Sequence, residues 1–203
     1  MLVIDPAALT ARENYQLLTA SVIPRPIALV TTLSQEGVLN AAPFSYFSIV
    51  ASDPPLLSVS VQRKQGVRKD TARNAVERKA FVVHIVDETN VHAANEAAAS
   101  LPPNESEMPR AGFTPVASAA IEVPGIQEAK IRMECVLEQA IGLGGAGEQE
   151  PACDLLIGRV VRFHFAEEVY LNGIVAADRL QPVSRLGGSD YAVLGKRFAL
   201  ERP

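Results

Sequence analysis

The chain has 203 residues, of which 48% are hydrophobic and 21% are charged, and its formal net charge is −4 at pH 7. This length fits one domain, and the hydrophobic share is enough for a core and argues against intrinsic disorder. The acidic balance and the lack of tryptophan exclude a general nucleic-acid-binding protein, although a local anion site stays open. We therefore predict a single domain over residues 1–203.

The first half of the chain predicts short helices between strands. Asp5 followed by Pro6 predicts a helix that starts there and ends near Leu18, because Asp caps helices well and Pro fits the first turn. Extended, β-branched runs predict strands, and polar segments rich in alanine predict helices. The elements expected are strands at residues 27–33, 56–61 and 80–86, a hairpin loop at 34–37, a helix at 69–79 capped by Asp70, and a helix capped by Asp87 or Thr89.

The second half of the chain predicts further strands. Residues 101–124 are rich in proline and lack periodicity, so we expect a long surface loop that covers or borders a ligand. Residues 131–139 alternate, with Glu134 on the polar face of a half-buried strand. Residues 153–165 and 167–175 read as two more strands. Hairpins with few helices favour an antiparallel barrel or sandwich over a doubly wound sheet.

The stretch GLGGAG, residues 142–147, has the spelling of a dinucleotide-binding fingerprint. That motif binds a pyrophosphate only where a helix opens directly after it. Here a few polar residues, Pro151 and another strand follow. We therefore expect a glycine-rich loop that joins two antiparallel strands, and no dinucleotide on a doubly wound fold.

Composition and cysteine usage bound the remaining sites. Cys135 and Cys153 show no ligand spacing, so we expect no metal and two reduced cysteines in the core, with a disulfide between them as the alternative. The N-terminus has neither the basic start nor the apolar run of a signal peptide. No apolar run is long enough to cross a membrane. We expect a cytoplasmic protein that binds neither membranes nor nucleic acid.

Residues 62–73, QRKQGVRKDTAR, reverse the sign of charge locally. The segment joins a strand end to a helix start. Side-chain cations, free N–H groups of the first helical turn and the Thr71 hydroxyl therefore converge. Gly66 would let the loop approach a ligand closely. The stretch indicates either a phosphate site or a solvated basic loop.

Residues 40–48, NAAPFSYFS, place small residues beside a proline, serines and aromatic rings. Such a segment suits a flat ligand laid against exposed backbone, with Ser45 and Ser48 hydrogen-bonded to its edge. It equally suits a bulged strand end whose aromatic rings belong to the core.

Taken with their neighbours, these two stretches resemble the flavin reductase-like, FMN-binding split-barrel family. The resemblance spans residues 15–195 and rests on motifs that stand in the family's order: PRPIALVTT, GVLNAAPFSYF, DPPLLSVSV, KDTARN, FVVHIV and PVSRLGGSDYAVLG. It implies a mainly β protein with short helices, built as a six-stranded antiparallel split β-barrel. It also implies a homodimer with one FMN near each interface.

The resemblance also implies the cofactor contacts. NAAPFSYF falls where the family cradles the isoalloxazine, KDT falls where it holds the FMN phosphate, and Ser60 and Arg63 fall near the ribityl chain or phosphate. PRPI and RLGG each add an arginine. The expected cofactor-binding residues are Arg25, Asn40, Ala42, Ser45, Tyr46, Phe47, Ser60, Arg63, Lys69, Asp70, Thr71 and Arg185.

The function that the resemblance implies is that of an NAD(P)H-dependent flavin reductase. NADH or NADPH passes hydride to flavin N5, and a partner monooxygenase or another acceptor takes the electrons. The chemistry belongs to the cofactor, so no catalytic side chain is assigned. The alternatives are a flavoredoxin-like electron carrier without nicotinamide turnover, and a split barrel that binds another ligand such as haem through His84 or His164. His84 is otherwise a structural histidine, and His92 is expected on the surface.

Overall fold

The structure is a computed structural model that describes residues 1–102, 105–145 and 150–201. Its helices are short: a 3-10 turn at Pro6–Ala8, α1 (Ala11–Ser21), α2 (Asp70–Arg78), α3 (Val91–Glu96), α4 (Met108–Ala111) and α5 (Ala177–Leu180). Its strands are β1 (Arg25–Pro26), β2 (Ala28–Leu33), β3 (Leu39–Phe44), β4 (Phe47–Ser52), β5 (Pro55–Gln62), β6 (Ala80–Ile85), β7 (Pro115–Val116), β8 (Gly125–Ile126), β9 (Ile131–Leu143), β10 (Cys153–Phe165), β11 (Tyr170–Leu171), β12 (Ile174–Val175), β13 (Val183–Arg185) and β14 (Tyr191–Val193). None of the helices described is long and apolar enough to span a bilayer.

Seven strands form one antiparallel sheet in the order β3-β2-β6-β9-β10-β5-β4. Its edge strands, β3 and β4, are separated in the chain only by Ser45 and Tyr46. Because so short a link reaches about 11 Å at most, the sheet must curl until its edges meet at this corner. Ser60 N also donates to Tyr46 O at 2.9 Å. If β3 and β4 are counted as one strand bent at the corner, the result is the predicted six-stranded barrel.

The barrel interior is filled by alternating strand residues and one face of α2. On β5 every second residue, Leu57, Val59 and Val61, is buried, as a strand with one inward face requires. Ala72 and Ala75 of α2 pack into the same core. Cys135 lies there too, and burial raises the pKa of its thiol to about 12. The expected role of this cysteine as a core residue is therefore confirmed.

Three predicted helix starts are wrong. Asp5 caps only the 3-10 turn, and a separate helix starts after Thr10, which forms a capping box with Glu13. Lys69, not Asp70, is the residue before α2. Asn90 precedes α3, since Asp87 instead accepts hydrogen bonds from the backbone and hydroxyl of Thr89. Which residue becomes the N-cap depends on the backbone dihedral angles around it, and residue type alone does not determine those angles.

The long segment after α3 is fastened to the barrel by a buried acid. Glu134 of β9 accepts hydrogen bonds from Ala119 N and Ala120 N at 2.6 and 2.7 Å, and its Oε1 lies 2.6 Å from His164 Nε2. The expectation of an exposed Glu134 is therefore wrong. The reason is that the segment itself covers that face of the sheet and supplies N–H groups to the carboxylate.

The glycine-rich stretch at residues 142–147 lies between two paired strands, as predicted. β9 ends at Leu143, which pairs with Cys153 at the start of antiparallel β10. Ala146 and Gly147 of the motif lie outside the described residues. The pairing of β9 with β10 confirms that this stretch joins two antiparallel strands.

His84 of β6 is a structural histidine sealed inside the fold. Ile126 N donates to its Nε2 at 2.9 Å, so Nδ1 carries the proton and donates to Leu29 O at 2.8 Å. Burial lowers the pKa of His84 to about 4, which keeps the ring neutral. Both ring nitrogens are occupied, so His84 is not available to a haem iron.

We expect His84 to make the protein acid-sensitive. Its pKa is about 4 when folded and about 6.5 when unfolded, so the unfolded chain binds the extra proton as the pH falls between these values. Stability is complete above about pH 6.5 and falls towards pH 4 by up to about 1.4 kcal/mol per pH unit. Urea unfolding at a series of pH values in this range measures the free energy of unfolding. That free energy should fall less steeply with decreasing pH in His84→Gln than in the wild type. The exposed His92→Gln is the control, and an equally steep slope in His84→Gln would contradict the assignment.

Candidate functional site

A cavity of about 480 Å³ opens beside β3 and the start of α2. Asn40, Ala42 and Phe44 line it together, because every second residue of a strand faces the same side. Residues 97–101 and Glu107 also line it, and residues 64, 65 and 67–71 form its basic end. The volume falls in the range of about 300–1,000 Å³ that small-molecule sites occupy.

The basic end of the cavity is the N-terminus of α2. Within the described chain, no side chain caps this helix, so the N–H groups of its first turn lack intrahelical partners. Lys69, Asp70 and Thr71 all line the cavity there. Backbone N–H groups, the helix dipole and lysine together suit an anion. The Asp70 carboxylate is already paired with Arg73, at 2.7 Å.

Asn40 connects the three elements that surround this end. Its Nδ2 donates to both carboxylate oxygens of Glu107, at 3.0 and 2.8 Å. Its Oδ1 accepts from the hydroxyls of Thr71 and Thr32. Ala41 N also donates to Glu107, at 3.2 Å. The side chain of Asn40 therefore holds β2, α2 and Glu107 together, and Thr71 donates its hydroxyl proton to Asn40.

Glu107 is a site residue that the sequence analysis missed. It is 5% exposed, lines the cavity and comes from the proline-rich segment. Burial raises the pKa of this carboxyl, which accepts the hydrogen bonds of Asn40 and Ala41. Nothing in the local pattern NESEMPR marks it, because its partners lie 66 and 67 residues away. The segment predicted as an irregular surface loop, residues 101–124, instead contains α4 and β7 and buries Phe113 and Val123, while Leu101 and Glu107 line the cavity.

A second cavity, of about 260 Å³, continues from the first and shares Pro43, Phe44 and Ala98 with it. Arg25, Ser45 and Arg185 line it. The guanidinium of Arg25 is held by three backbone carbonyls, those of residues 19, 22 and 186, and its Nε lies 3.4 Å from Ser45 Oγ. It is a fixed part of the wall.

Arg185 also lines the second cavity, on β13 directly beside Arg25 of β1. Its guanidinium stacks over the Tyr191 ring with 4.5 Å to the ring centre, and its Nη2 donates to Gly188 O. Stacking of this kind holds a guanidinium while leaving most of its N–H groups available.

The remaining expected contacts lie outside the linings of these two cavities. Arg63 makes a bidentate ion pair with Asp154 and also donates to Gly66 O and Glu150. The Ser60 hydroxyl accepts from Gln62, and Phe47 packs against the barrel core. Tyr46 forms the corner between β3 and β4. The structure thus gathers eight of the twelve expected residues along one connected groove: Arg25, Asn40, Ala42, Ser45, Lys69, Asp70, Thr71 and Arg185.

The two ends of the groove differ in the hydrogen-bonding groups that they offer. One end offers lysine and free helix N–H groups, which suit a phosphate. The middle offers the small side chain of Ala42 and the ring of Pro43, which leave room for a flat ligand. The other end offers Ser45 and Arg185, which are hydrogen-bond donors for the edge of a heterocycle.

Comparison with known proteins agrees with this geometry. The family model described as flavin reductase like domain matches residues 20–182. The solved structure of nitrilotriacetate monooxygenase component B from Bacillus cereus is 62% identical, with a TM-score of 0.97 and 98% of each chain covered. The 2-nitrobenzoate 2-nitroreductase NbaA of Pseudomonas fluorescens is 37% identical, with a TM-score of 0.88 over 100% of this chain and 96% of that chain.

A more distant solved structure, from Shewanella frigidimarina, is described as a flavin reductase with a split barrel domain. It is 18% identical, with a TM-score of 0.84 over 97% of this chain and 96% of that chain, and it shows the fold alone. The family match extends over most of the chain and includes every strand of the curled sheet. This protein is a member of the flavin reductase-like family and has its split-barrel fold.

Proposed function

We propose that this protein binds FMN in the connected groove and acts as an NAD(P)H-dependent flavin reductase. The observation that carries the proposal is that the N-terminus of α2, which has no side-chain cap and is preceded by Lys69, lies in the same cavity as the small residue Ala42 of β3. FMN has the matching shape, with a phosphate at one end and a flat ring at the other. Family membership supports a flavin as the ligand.

The chain's own residues would hold FMN by dividing the work along the groove. Lys69 and the N–H groups of residues 70 and 71 would bind the phosphate, while Asn40 keeps that helix turn against β3. Ala42 would leave space for the ring, and Ser45, Arg25 and Arg185 would border its edge. Arg63, Ser60, Tyr46 and Phe47 would act from behind the wall by holding strands and loop in place.

When bound, FMN supplies the redox chemistry, since its N5 accepts hydride from reduced nicotinamide. The protein's part is to orient the ring and to limit water. Cys135 is a buried thiol with a raised pKa, and His84 is neutral and sealed. Neither is placed to exchange protons with a ligand in the groove.

We also propose that each chain is a single domain and that two chains form a homodimer. The dimer would pass reduced flavin, or its electrons, to a partner monooxygenase. Exposed apolar residues at both chain ends, Leu2, Val3, Phe198 and Leu200, favour burial against a second copy. The name of the 62% identical structure, a monooxygenase component, favours that acceptor. A stable monomer at micromolar concentration in sedimentation would contradict the dimer.

The first test is a visible absorption spectrum of the purified protein with FMN, recorded anaerobically before and after NADPH and then NADH. We expect an oxidised flavin spectrum that bleaches with at least one nucleotide, faster than free FMN does. A bound flavin that stays oxidised would instead support a flavoredoxin-like electron carrier. Failure to bind FMN at all would overturn the proposed ligand.

A further inference from the structure

Residues 63–68 form a tight turn at the basic end of the groove, and we call them the basic loop. Lys64 and Val67 exchange two backbone hydrogen bonds, of 3.1 and 3.0 Å. Between them, Gln65 and Gly66 both have positive φ, of 53° and 76°, as a type I′ hairpin turn requires. Gly66 therefore serves the turn itself, and the loop has a defined shape.

A single buried carboxylate clamps both ends of the basic loop. Asp154 of β10 is 1% exposed. Its Oδ2 accepts from Arg63 Nε at 2.9 Å, and its Oδ1 accepts from Arg63 Nη2 at 2.9 Å and from Arg68 Nε at 3.0 Å. Burial by itself opposes the charged form, but the two guanidinium groups outweigh it and lower the pKa of Asp154. The carboxylate therefore remains ionised and holds Arg68.

Arg68 is the member of this clamp that reaches the groove. Its side chain is 39% exposed and lines the cavity beside Lys64 and Lys69. The bond to Asp154 uses one of the five N–H groups of a guanidinium. A guanidinium held at its Nε keeps a fixed plane and can still bind two phosphate oxygens at once.

We propose that Asp154 is a positioning residue that holds Arg68 for the 5′-phosphate of the flavin, so that the pair selects phosphorylated flavin over riboflavin. The inference rests on the proposed FMN site and adds the residues that read the phosphate. Asp154 touches no ligand and acts through Arg68. Arg63 was expected to contact the ligand, but its guanidinium instead forms the bidentate ion pair with Asp154.

The test is the ratio of the dissociation constants of riboflavin and FMN, measured by flavin fluorescence on the full-length protein. We expect the wild type to bind FMN more tightly, and Arg68→Gln and Asp154→Asn each to lower the ratio about tenfold. The double variant should lower it no further than either single change, because both act through one contact. Riboflavin affinity should stay unchanged, which a merely structural loss would not allow.

Glu138→Gln is the matched control, since it breaks an exposed ion pair with Arg159 of β10, the strand that also carries Asp154, and lies outside both cavities. It should keep the wild-type ratio. Additive effects in the double variant, or an unchanged ratio in Arg68→Gln, would overturn the inference. Arg68→Gln decides alone if Asp154→Asn does not fold. A wild type that binds neither flavin would refute the proposed function instead, and one that binds both equally would refute only the selection.

Discussion

Replacement of Ala42 by phenylalanine is expected to weaken FMN binding by at least about a hundredfold, or about 2.7 kcal/mol. Ala42 lines the groove on β3, on the same face as Asn40 and Phe44. A benzyl group there occupies the space that the ligand needs, and the pairing of Ala41, Ala42 and Pro43 with β2 limits how far the backbone can move. Fluorescence titration of FMN with the purified variant measures the loss.

The matched control for this change is Ala51→Phe on β4. Ala51 is half-buried on the same sheet but lines neither cavity. It should leave FMN affinity within about twofold of the wild type, and circular dichroism should show that both variants are folded. Undiminished FMN binding by a folded Ala42→Phe variant would place the ligand elsewhere.

Replacement of Gly158 by alanine is expected to lower the free energy of unfolding by about 3 kcal/mol. An added Cβ would lie 2.3 Å from the tip of the Phe81 ring and 3.0 Å from the Cβ of Cys135. Phe81 is fully buried in the barrel, so it cannot swing away without displacing its neighbours. Urea unfolding and a melting temperature lowered by about 10 °C would show the effect.

Two further variants separate this packing effect from the loss of a glycine as such. Gly195→Ala has open space around its Cβ and should change stability by less than about 0.5 kcal/mol. Phe81→Leu shortens the opposing side chain and should restore part of the stability of Gly158→Ala, because the two sites are coupled. A wild-type melting temperature for Gly158→Ala would show that the barrel interior is looser than described.

Several features follow from local pattern alone. The strand at residues 153–165 begins and ends where its composition predicts, and the hairpin after β2 turns at the predicted residues. Alternation with period two reflects a physical constraint that acts residue by residue, since neighbouring side chains of a strand face opposite sides. The order of the motifs is also a property of the sequence, and it identifies the family.

The role of individual polar residues depends instead on distant partners. Glu134 has the spacing of an exposed strand residue, yet a segment from elsewhere in the chain buries it and supplies its hydrogen bonds. Arg63 has the spacing of a phosphate ligand, yet Asp154, 91 residues away, binds its guanidinium. These partners are distant in the sequence, so the local pattern does not reveal them. A buried charged side chain pairs with such a partner because burying an unpaired charge costs free energy.

The sequence by itself determined the family and five strands of the curled sheet, β2, β5, β6, β9 and β10, because periodicity and motif order are local properties of the chain. The single strand predicted at residues 167–175 is wrong, since Asn172 and Gly173 take positive φ and turn the chain between β11 and β12. Only the tertiary structure decided which residues line the groove and which lie behind its wall. Glu107, Asp154 and Arg68 obtain their roles from contacts across 66 to 86 residues. Such contacts exist only once the sheet has curled and its edges have met at Ser45 and Tyr46.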